Sequence, residues 1–213
     1  PRGNTFPIRK VISSRFDGGS IMEIDYAQLE FRTAVFLAQD KQGMKDIQNG
    51  VDVHQYTADI IGCSRQEAKA HTFKPLYGGM SGTENEKKYY SAFLKKYPDI
   101  KVWHEKLQDE AIRTKVVTLP TGRQYAFPKA ERMSWGGATS STQIKNYPVQ
   151  GFATADIVPL ACINIQELLE EHNTKSLLIN TVHDSIVADV FPGEESLVAS
   201  CLNKGCLGVI QRM

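Results

Sequence analysis

Two aspartates set the tightest limit on how this chain can fold. Asp25 closes the apolar run Ile21-Met22-Glu23-Ile24-Asp25-Tyr26, and Asp184 closes Leu177-Leu178-Ile179-Asn180-Thr181-Val182-His183-Asp184. Short runs of this kind predict buried strands. A carboxylate at the end of a buried strand is costly unless a positive group meets it. Two of them, on strands near opposite ends of the chain, predict one divalent-metal site that the fold assembles. Mg²⁺ suits such a site, because it prefers oxygen ligands and completes its shell with water and phosphate oxygens.

Between the aspartates, Ser64-Arg65-Gln66-Glu67 has the form of a capping box and opens a helix expected to run to Gly78-Gly79. Arg65, Lys69, Phe73 and Tyr77 recur every four residues along it. At 3.6 residues per turn they form one slowly drifting stripe, rising roughly 18 Å from first to last. Arg65 and Lys69 suit the terminal phosphates of a ligand, the first bidentately and the second as a point charge. Phe73 and Tyr77 offer flat faces to a base. Taken alone, the stripe reads first as an ordinary amphipathic helix with two snorkelling cations and two core aromatics. Beside the paired carboxylates it points to chemistry on a nucleoside triphosphate.

Composition excludes little. The chain has 213 residues, 41% of them hydrophobic, and a net charge of +1 from 25 basic and 24 acidic residues. A local groove can still be basic on such a chain. Cys63, Cys162, Cys201 and Cys206 form neither a CxxC pair nor a zinc spacing, and read as free thiols in a reducing cytoplasm. No apolar stretch reads as long enough to span a bilayer, and no signal peptide opens the chain. The chain starts at Pro1 and stops inside an expected last helix, 194–212, so it reads as an excerpt of a longer protein. Helices are expected over 28–37, 52–61, from Thr83 to about Tyr97, and through Ile100, Trp103, Leu107 and Ala111. A hairpin is expected at Leu119-Pro120-Thr121-Gly122-Arg123, and a long helix after Gln150, kinked at Pro159. The fold class is therefore α+β, with a small antiparallel sheet from the two ends and a helical insertion over 41–146.

The residues also resemble a known family. Asp25-Tyr26-Ala27-Gln28-Leu29-Glu30-Phe31-Arg32 resembles motif A of the family A DNA polymerases, the bacterial DNA polymerase I type. Arg65-x3-Lys69-x3-Phe73-x3-Tyr77-Gly78 resembles motif B, and Val182-His183-Asp184 resembles motif C. Asn146-Tyr147-Pro148-Val149-Gln150-Gly151 is similar to the segment lining the primer–template, and Asn4-x-x-Pro7-Ile8-Arg9 to the stretch before motif A. The matches follow the family's order across nearly the whole chain. The resemblance implies a polymerase palm with a small antiparallel sheet (1–40 and 147–213) and mostly helical fingers (41–146), with thumb and exonuclease domains absent. It implies two-metal nucleotidyl transfer from a dNTP to a primer 3′-OH. Asp25 and Asp184 would bind two Mg²⁺ ions with the Tyr26 carbonyl. Arg65, Lys69 and His54 would hold the triphosphate, and Lys69 would protonate the leaving pyrophosphate. Glu30 would be the steric gate against a ribose 2′-OH, hydrogen-bonded to Tyr77, with Gln28 shaping the same pocket. Tyr77 would stack near the templating base, and Phe73 would select against dideoxynucleotides. Arg9, Asn146, Gln150 and His183 would contact the primer–template; Arg123 reads equally as a phosphate contact and as a solvated turn residue.

Three departures from the family pattern stand out. Ser185 follows Asp184 where many relatives have Glu, and Glu23, on the same strand face as Asp25 and roughly 7 Å from it, is a candidate to supply the lost negative charge. Lys74-Pro75 interrupts motif B and predicts a kink before Tyr77. Thr142 stands where some relatives place an arginine near the primer. The combination of Phe73-Lys74-Pro75-Leu76-Tyr77-Gly78-Gly79 with His183-Asp184-Ser185 looks more like phage members, which implies replication in a phage-infected bacterial cytoplasm. Competing readings are a single-subunit RNA polymerase, against which Glu30 argues, a metal-dependent phosphohydrolase, and a piece that binds nucleic acid without turnover.

Overall fold

The computed structural model describes residues 11–79, 82–134 and 136–209. It divides into two compact units. One comprises the described residues up to Ala27 and from Thr154 onward; the other is Gln28–Ala153.

The first unit is built on a three-stranded antiparallel sheet of β1 (Ser20–Asp25), β4 (Leu177–Val182) and β5 (Ser185–Val190), in the order β1-β5-β4. β4 and β5 form a hairpin in which His183 takes a left-handed backbone, φ 56°. Two-residue hairpin connections commonly demand such a conformation. β5 is central, and its Ile186, Ala188 and Val190 are fully buried. Helices α8 (Val158–Glu171) and α9 (Glu195–Leu207) complete this core through Val158, Ala161, Ile165, Val198 and Leu202. They can approach closely because residue 205 is glycine; a Cβ there would lie 2.3 Å from the Ile165 Cγ1.

Burial of β4 differs from the sequence expectation. Leu177, Ile179 and Val182 are exposed, and Asp25 is exposed at the end of β1. Among the described residues β4 is an edge strand, paired with β5 alone, and a register shift between Leu178 and Asn180 breaks its alternation. The two aspartates therefore sit at a solvated sheet end, not in a dry interior.

In the second unit, α1 (Leu29–Ala38), α2 (Lys41–Gln48), α3 (Val53–Ile61), α4 (Arg65–Thr72), α5 (Glu84–Lys96), α6 (Pro98–Thr114) and α7 (Ser141–Gln150) surround a core rich in aromatic rings. Phe31, Tyr89, Tyr90, Phe93 and Tyr97 are fully buried, with Phe93 and Tyr97 edge-to-face at 4.8 Å between centroids. The hairpin of β2 (Val116–Thr118) and β3 (Gln124–Ala126) seats Val117 beside Leu107, Phe127 and Ile144 in a second cluster. Phe31, Val35 and Val149 all join the aromatic core, which is why the compact division falls after Ala27 and Ala153. The capping boxes at Ser64 and Thr83 are both formed. All four cysteines are free.

Helix α4 stops at Thr72, earlier than the expected Gly78-Gly79. A 3₁₀ turn, Lys74–Tyr77, replaces the rest. Pro75 has no N–H to continue the α-helical ladder, and its ring disfavours helix before it. The stripe from Arg65 to Tyr77 is thus broken between Lys69 and Tyr77. After α7 the chain passes through a π-helical turn, Gly151–Ile157, into α8, so the helix is irregular in the turn that precedes Pro159, where the missing proline N–H acts. Gly151 leaves room there for the Tyr125 ring; a Cβ would lie 1.5 Å from the Tyr125 hydroxyl and would displace that side chain. The helical run Ser141–Glu171 is long and apolar enough to cross a membrane by length and composition alone, contrary to the sequence expectation. Ile144, Val149, Phe152, Ala161 and Ile165 along it are nevertheless buried within the protein.

One buried charge ties α2 to the α5–α6 corner. Asp46 accepts hydrogen bonds from Tyr97 Oη at 2.9 Å and Gln42 Nε2 at 2.8 Å, and pairs with Lys96 Nζ at 2.8 Å. Burial raises its carboxyl pKa, but bonds from Lys96, Tyr97 and Gln42 outweigh this and hold it below 3.8. Asp46→Asn is expected to cost about 1–3 kcal/mol in denaturant unfolding, by removing the carboxylate partner of the half-buried Lys96. Because the folded pKa is depressed, the contribution of Asp46 is complete above pH 3.8 and is lost as pH falls through the lower folded value. The variant should lack that part of the acid-side destabilisation.

Candidate functional site

In the sheet unit, antiparallel pairing of β1 with β5 sets Asp25 directly opposite Ser185, and the Tyr26 N–H donates to the Asp184 carbonyl at 3.3 Å. This brings the side chains of Asp25 and Asp184 within hydrogen-bonding reach. Partial desolvation, then the Asp184 charge and the shared hydrogen bond, then Glu23, all hold the Asp25 carboxyl above its ordinary 3.8. Every one of these influences opposes ionisation, so the counter-charge the pair calls for is a cation. The donors are hard oxygens, which fit Mg²⁺. Among the described residues, no three Asp, Glu, His or Cys side chains converge on a metal position. A cation here would hold two carboxylates and fill its shell from carbonyl, water or phosphate oxygens.

The flanking residues are ordered. Ser185 Oγ donates to Glu23 Oε1 at 2.7 Å and lies 3.1 Å from the Val182 carbonyl. Tyr26 Oη donates to the Cys206 carbonyl at 3.0 Å, fixing its ring against α9. His183 stands exposed in the hairpin turn.

In the helical unit, Arg65 Nε pairs with Asp52 Oδ2 at 2.6 Å, with both side chains part-exposed. Asp52 is at the same time the N-cap of α3, accepting from the His54 and Gln55 N–H groups at 2.9 and 3.2 Å. His54 is buried, its Nδ1 3.0 Å from Thr72 Oγ1 and its ring edge-on to Phe73 at 5.2 Å. Desolvation chiefly holds its pKa below 6.5; Asp52 pulls it up, while Arg65 and Lys69 push it down. Asp52, His54, Arg65 and Lys69 thus lie within electrostatic reach of one another, with Lys69 exposed one turn beyond Arg65.

A second group joins three elements of the helical unit. Gln150 Nε2, at the end of α7, donates to Glu30 Oε1 at 2.5 Å and to Tyr77 Oη at 2.9 Å. Tyr77 ends the 3₁₀ turn and is capped by Gly78 in a left-handed backbone, φ 75°. Desolvation and then the Glu30 charge push the Tyr77 hydroxyl pKa up. Gln28 precedes α1 with φ 56° and makes no capping bond with its side chain. Asn146 lies one turn before Gln150 on α7, and Arg123 lies at the β2–β3 turn. Arg9, with Asn4, Pro7 and Ile8, lies outside the described residues.

Sequence reasoning missed three connections: the Asp52 partner of Arg65, the Thr72 partner of His54, and Gln150 as the bridge from Glu30 to Tyr77. The pairing of Asp52 with Arg65 depends on how α3 packs against α4, which local sequence does not carry. For the His54 group, an imidazole NMR titration should give a pKa below 6.5. Arg65→Gln should raise it, by removing a cation and leaving Asp52 unneutralised. A depressed histidine pKa favours the neutral ring in the fold, so His54 should lower stability progressively as pH falls below 6.5.

The chain has counterparts among known proteins. The chain is 31% identical over 196 residues to DNA polymerase I of Lactococcus lactis subsp. cremoris, covering 82% of this chain and 22% of that protein. It is 26% identical over 230 residues to the thermostable DNA polymerase I of Thermus aquaticus, covering 96% of this chain and 27% of that protein. The chain therefore spans about a quarter of the length of these curated relatives. Its fold matches the POL domain of Pol1 from M. smegmatis, solved in complex with DNA primer-template and dNTP, with a TM-score of 0.76 at 21% identity, covering 89% of this chain and 36% of that one. The sequence profile of DNA polymerase family A matches residues 2–207, and the chain belongs to that family.

Proposed function

We propose that this chain carries the nucleotidyl-transfer residues of a template-directed DNA polymerase, which joins a dNTP to a primer 3′-OH and releases pyrophosphate. The observation that carries this reading is the Asp25–Asp184 pair at the β1–β5 sheet end, in a chain of this family. Primer–template DNA and dNTP are the ligands of the M. smegmatis relative, and we extend both to this chain. We assign the sheet unit to the palm and the helices within 41–146 to the fingers.

Asp25 and Asp184, with the Tyr26 carbonyl, would hold two Mg²⁺ ions. Such ions, when bound, supply Lewis-acid activation of the attacking hydroxyl and charge stabilisation of the leaving phosphate. The protein's own groups mostly position and neutralise. Arg65 and Lys69 bind the triphosphate, and Arg65 must exchange Asp52 for phosphate oxygens to do so. Lys69 holds a proton for the departing pyrophosphate. His54, buried and neutral, braces the C-terminal end of α4 through Thr72 and offers its remaining ring nitrogen to phosphate. Glu30 blocks a ribose 2′-OH, and its bond from Gln150 fixes the carboxylate in place; Gln28 and Phe73 border the same sugar. Tyr77 stacks near the templating base. Arg9, Asn146, Gln150 and His183 engage the primer–template through backbone and base edges, which positions the duplex without reading its sequence. The Pro75 and Ser185 departures support a setting in phage DNA replication within a bacterial cell.

Primer extension by the chain in Mg²⁺ tests this. Asp184→Ala should abolish extension while leaving duplex binding measurable. Glu30→Ala should admit ribonucleotides at least tenfold more readily relative to deoxynucleotides, a loss of about 1.4 kcal/mol of discrimination. Duplex binding without extension by the unsubstituted chain would favour a nucleic-acid-binding piece, and preference for ribonucleotides would favour an RNA polymerase.

A further inference from the structure

Glu23 has no part in the transfer scheme above, yet it is held in a definite place beside it. Residues 23 and 25 share one face of β1, and 185 and 187 share one face of β5. The register pairs Asp25 with Ser185 and Glu23 with Val187, so Glu23 and Ser185 are diagonal neighbours on the face that carries Asp25. Ser185 Oγ closes the diagonal at 2.7 Å and is itself 4% exposed. The hydroxyl also lies within bonding distance of the Val182 carbonyl, so it stands between the hairpin backbone and the carboxylate. Glu23 does not converge with Asp25 and Asp184 on a shared metal position among the described residues. It is close enough for Asp25 to feel its charge.

We propose that Glu23, oriented by Ser185, is a positioning residue of outer charge for the divalent-cation site of Asp25 and Asp184: it strengthens cation binding across the sheet without touching the ion. The proposal rests on the reading of that pair as a metal site. Two carboxylates leave a two-cation cluster short of negative charge. A carboxylate beside β5 supplies more of it at a distance where Coulomb energy remains appreciable in a partly solvated setting. The same carboxylate makes the cation-free site less comfortable, because it adds to repulsion within the pair.

That opposition in sign distinguishes an electrostatic role from a structural one. Glu23→Gln keeps an oxygen that accepts from Ser185 and removes the charge. The probe is Mn²⁺, titrated into the purified chain and followed by electron paramagnetic resonance, with melting temperature recorded with and without the ion. Mn²⁺ binding should weaken about three- to tenfold at low salt, and less at high salt, where the charge is screened. The melting temperature without metal should hold or rise, while the rise on adding Mn²⁺ shrinks. Glu23→Gln/Ser185→Glu, which moves the charge to the adjacent strand, should recover affinity. Unchanged Mn²⁺ affinity in Glu23→Gln, with Asp184→Ala still abolishing binding, would overturn this role and leave the metal site standing. Mn²⁺ binding unaffected by Asp184→Ala would overturn both. A lower melting temperature without metal, with no recovery in the double variant, would reduce Glu23 to a structural contact.

Discussion

The sheet unit depends on β5. It pairs with β1 on one side and β4 on the other, and its buried Ile186, Ala188 and Val190 anchor it in the core. Because it is fixed, the residue that opens it, Ser185, and the one just before it, Asp184, have no freedom to drift from the end of β1. The register then forces two like charges together. Hydrophobic burial along β5 holds a repulsion at its tip that the β1–β5 pairing would otherwise relieve by fraying at Asp25. Tyr26 strengthens the same joint, with its backbone bonded to the hairpin and its hydroxyl to α9.

In the helical unit the corresponding constraint is aromatic packing. Phe31, Phe93 and Tyr97 lock α1 to the α5–α6 corner, which fixes Glu30 one residue away from a buried ring. Gln150 then reaches Glu30 and Tyr77 from α7. Three side chains from distant parts of the sequence share one hydrogen-bond group. Its geometry is inherited from the core beneath it and not from any one of the three elements.

Much of this was legible in the sequence where the signal is local. Capping boxes at Ser64 and Thr83 and the turn at Gly122 each depend on a few adjacent residues, and each formed. A small antiparallel sheet of the hairpin around Asp184 beside the Asp25 strand was also legible, although it is β5, beyond the turn that holds Asp184, that pairs with β1. Other features were hidden by non-local physics. The exposure of β4 follows from its place at the sheet edge, which apolar content does not reveal. Helix α2 is short and rich in polar residues, and its buried Asp46 makes sense only once Tyr97 and Lys96 arrive from elsewhere in the sequence. Pro75 signalled an interruption, but its outcome as a separate 3₁₀ turn depends on Tyr77 being held from α7.

The Arg65–Asp52 pair has a consequence for what the helical unit can recognise. Its guanidinium is engaged before any ligand arrives, so an incoming anion competes with a resident carboxylate. Asp52 is itself anchored by the first turn of α3 and cannot follow the arginine away. A singly charged species gains little from that exchange, whereas a polyanion that also meets Lys69 gains on two fronts. On the proposed reading of Arg65 and Lys69 as phosphate-binding residues, the resident acid would favour a polyanion over a singly charged competitor.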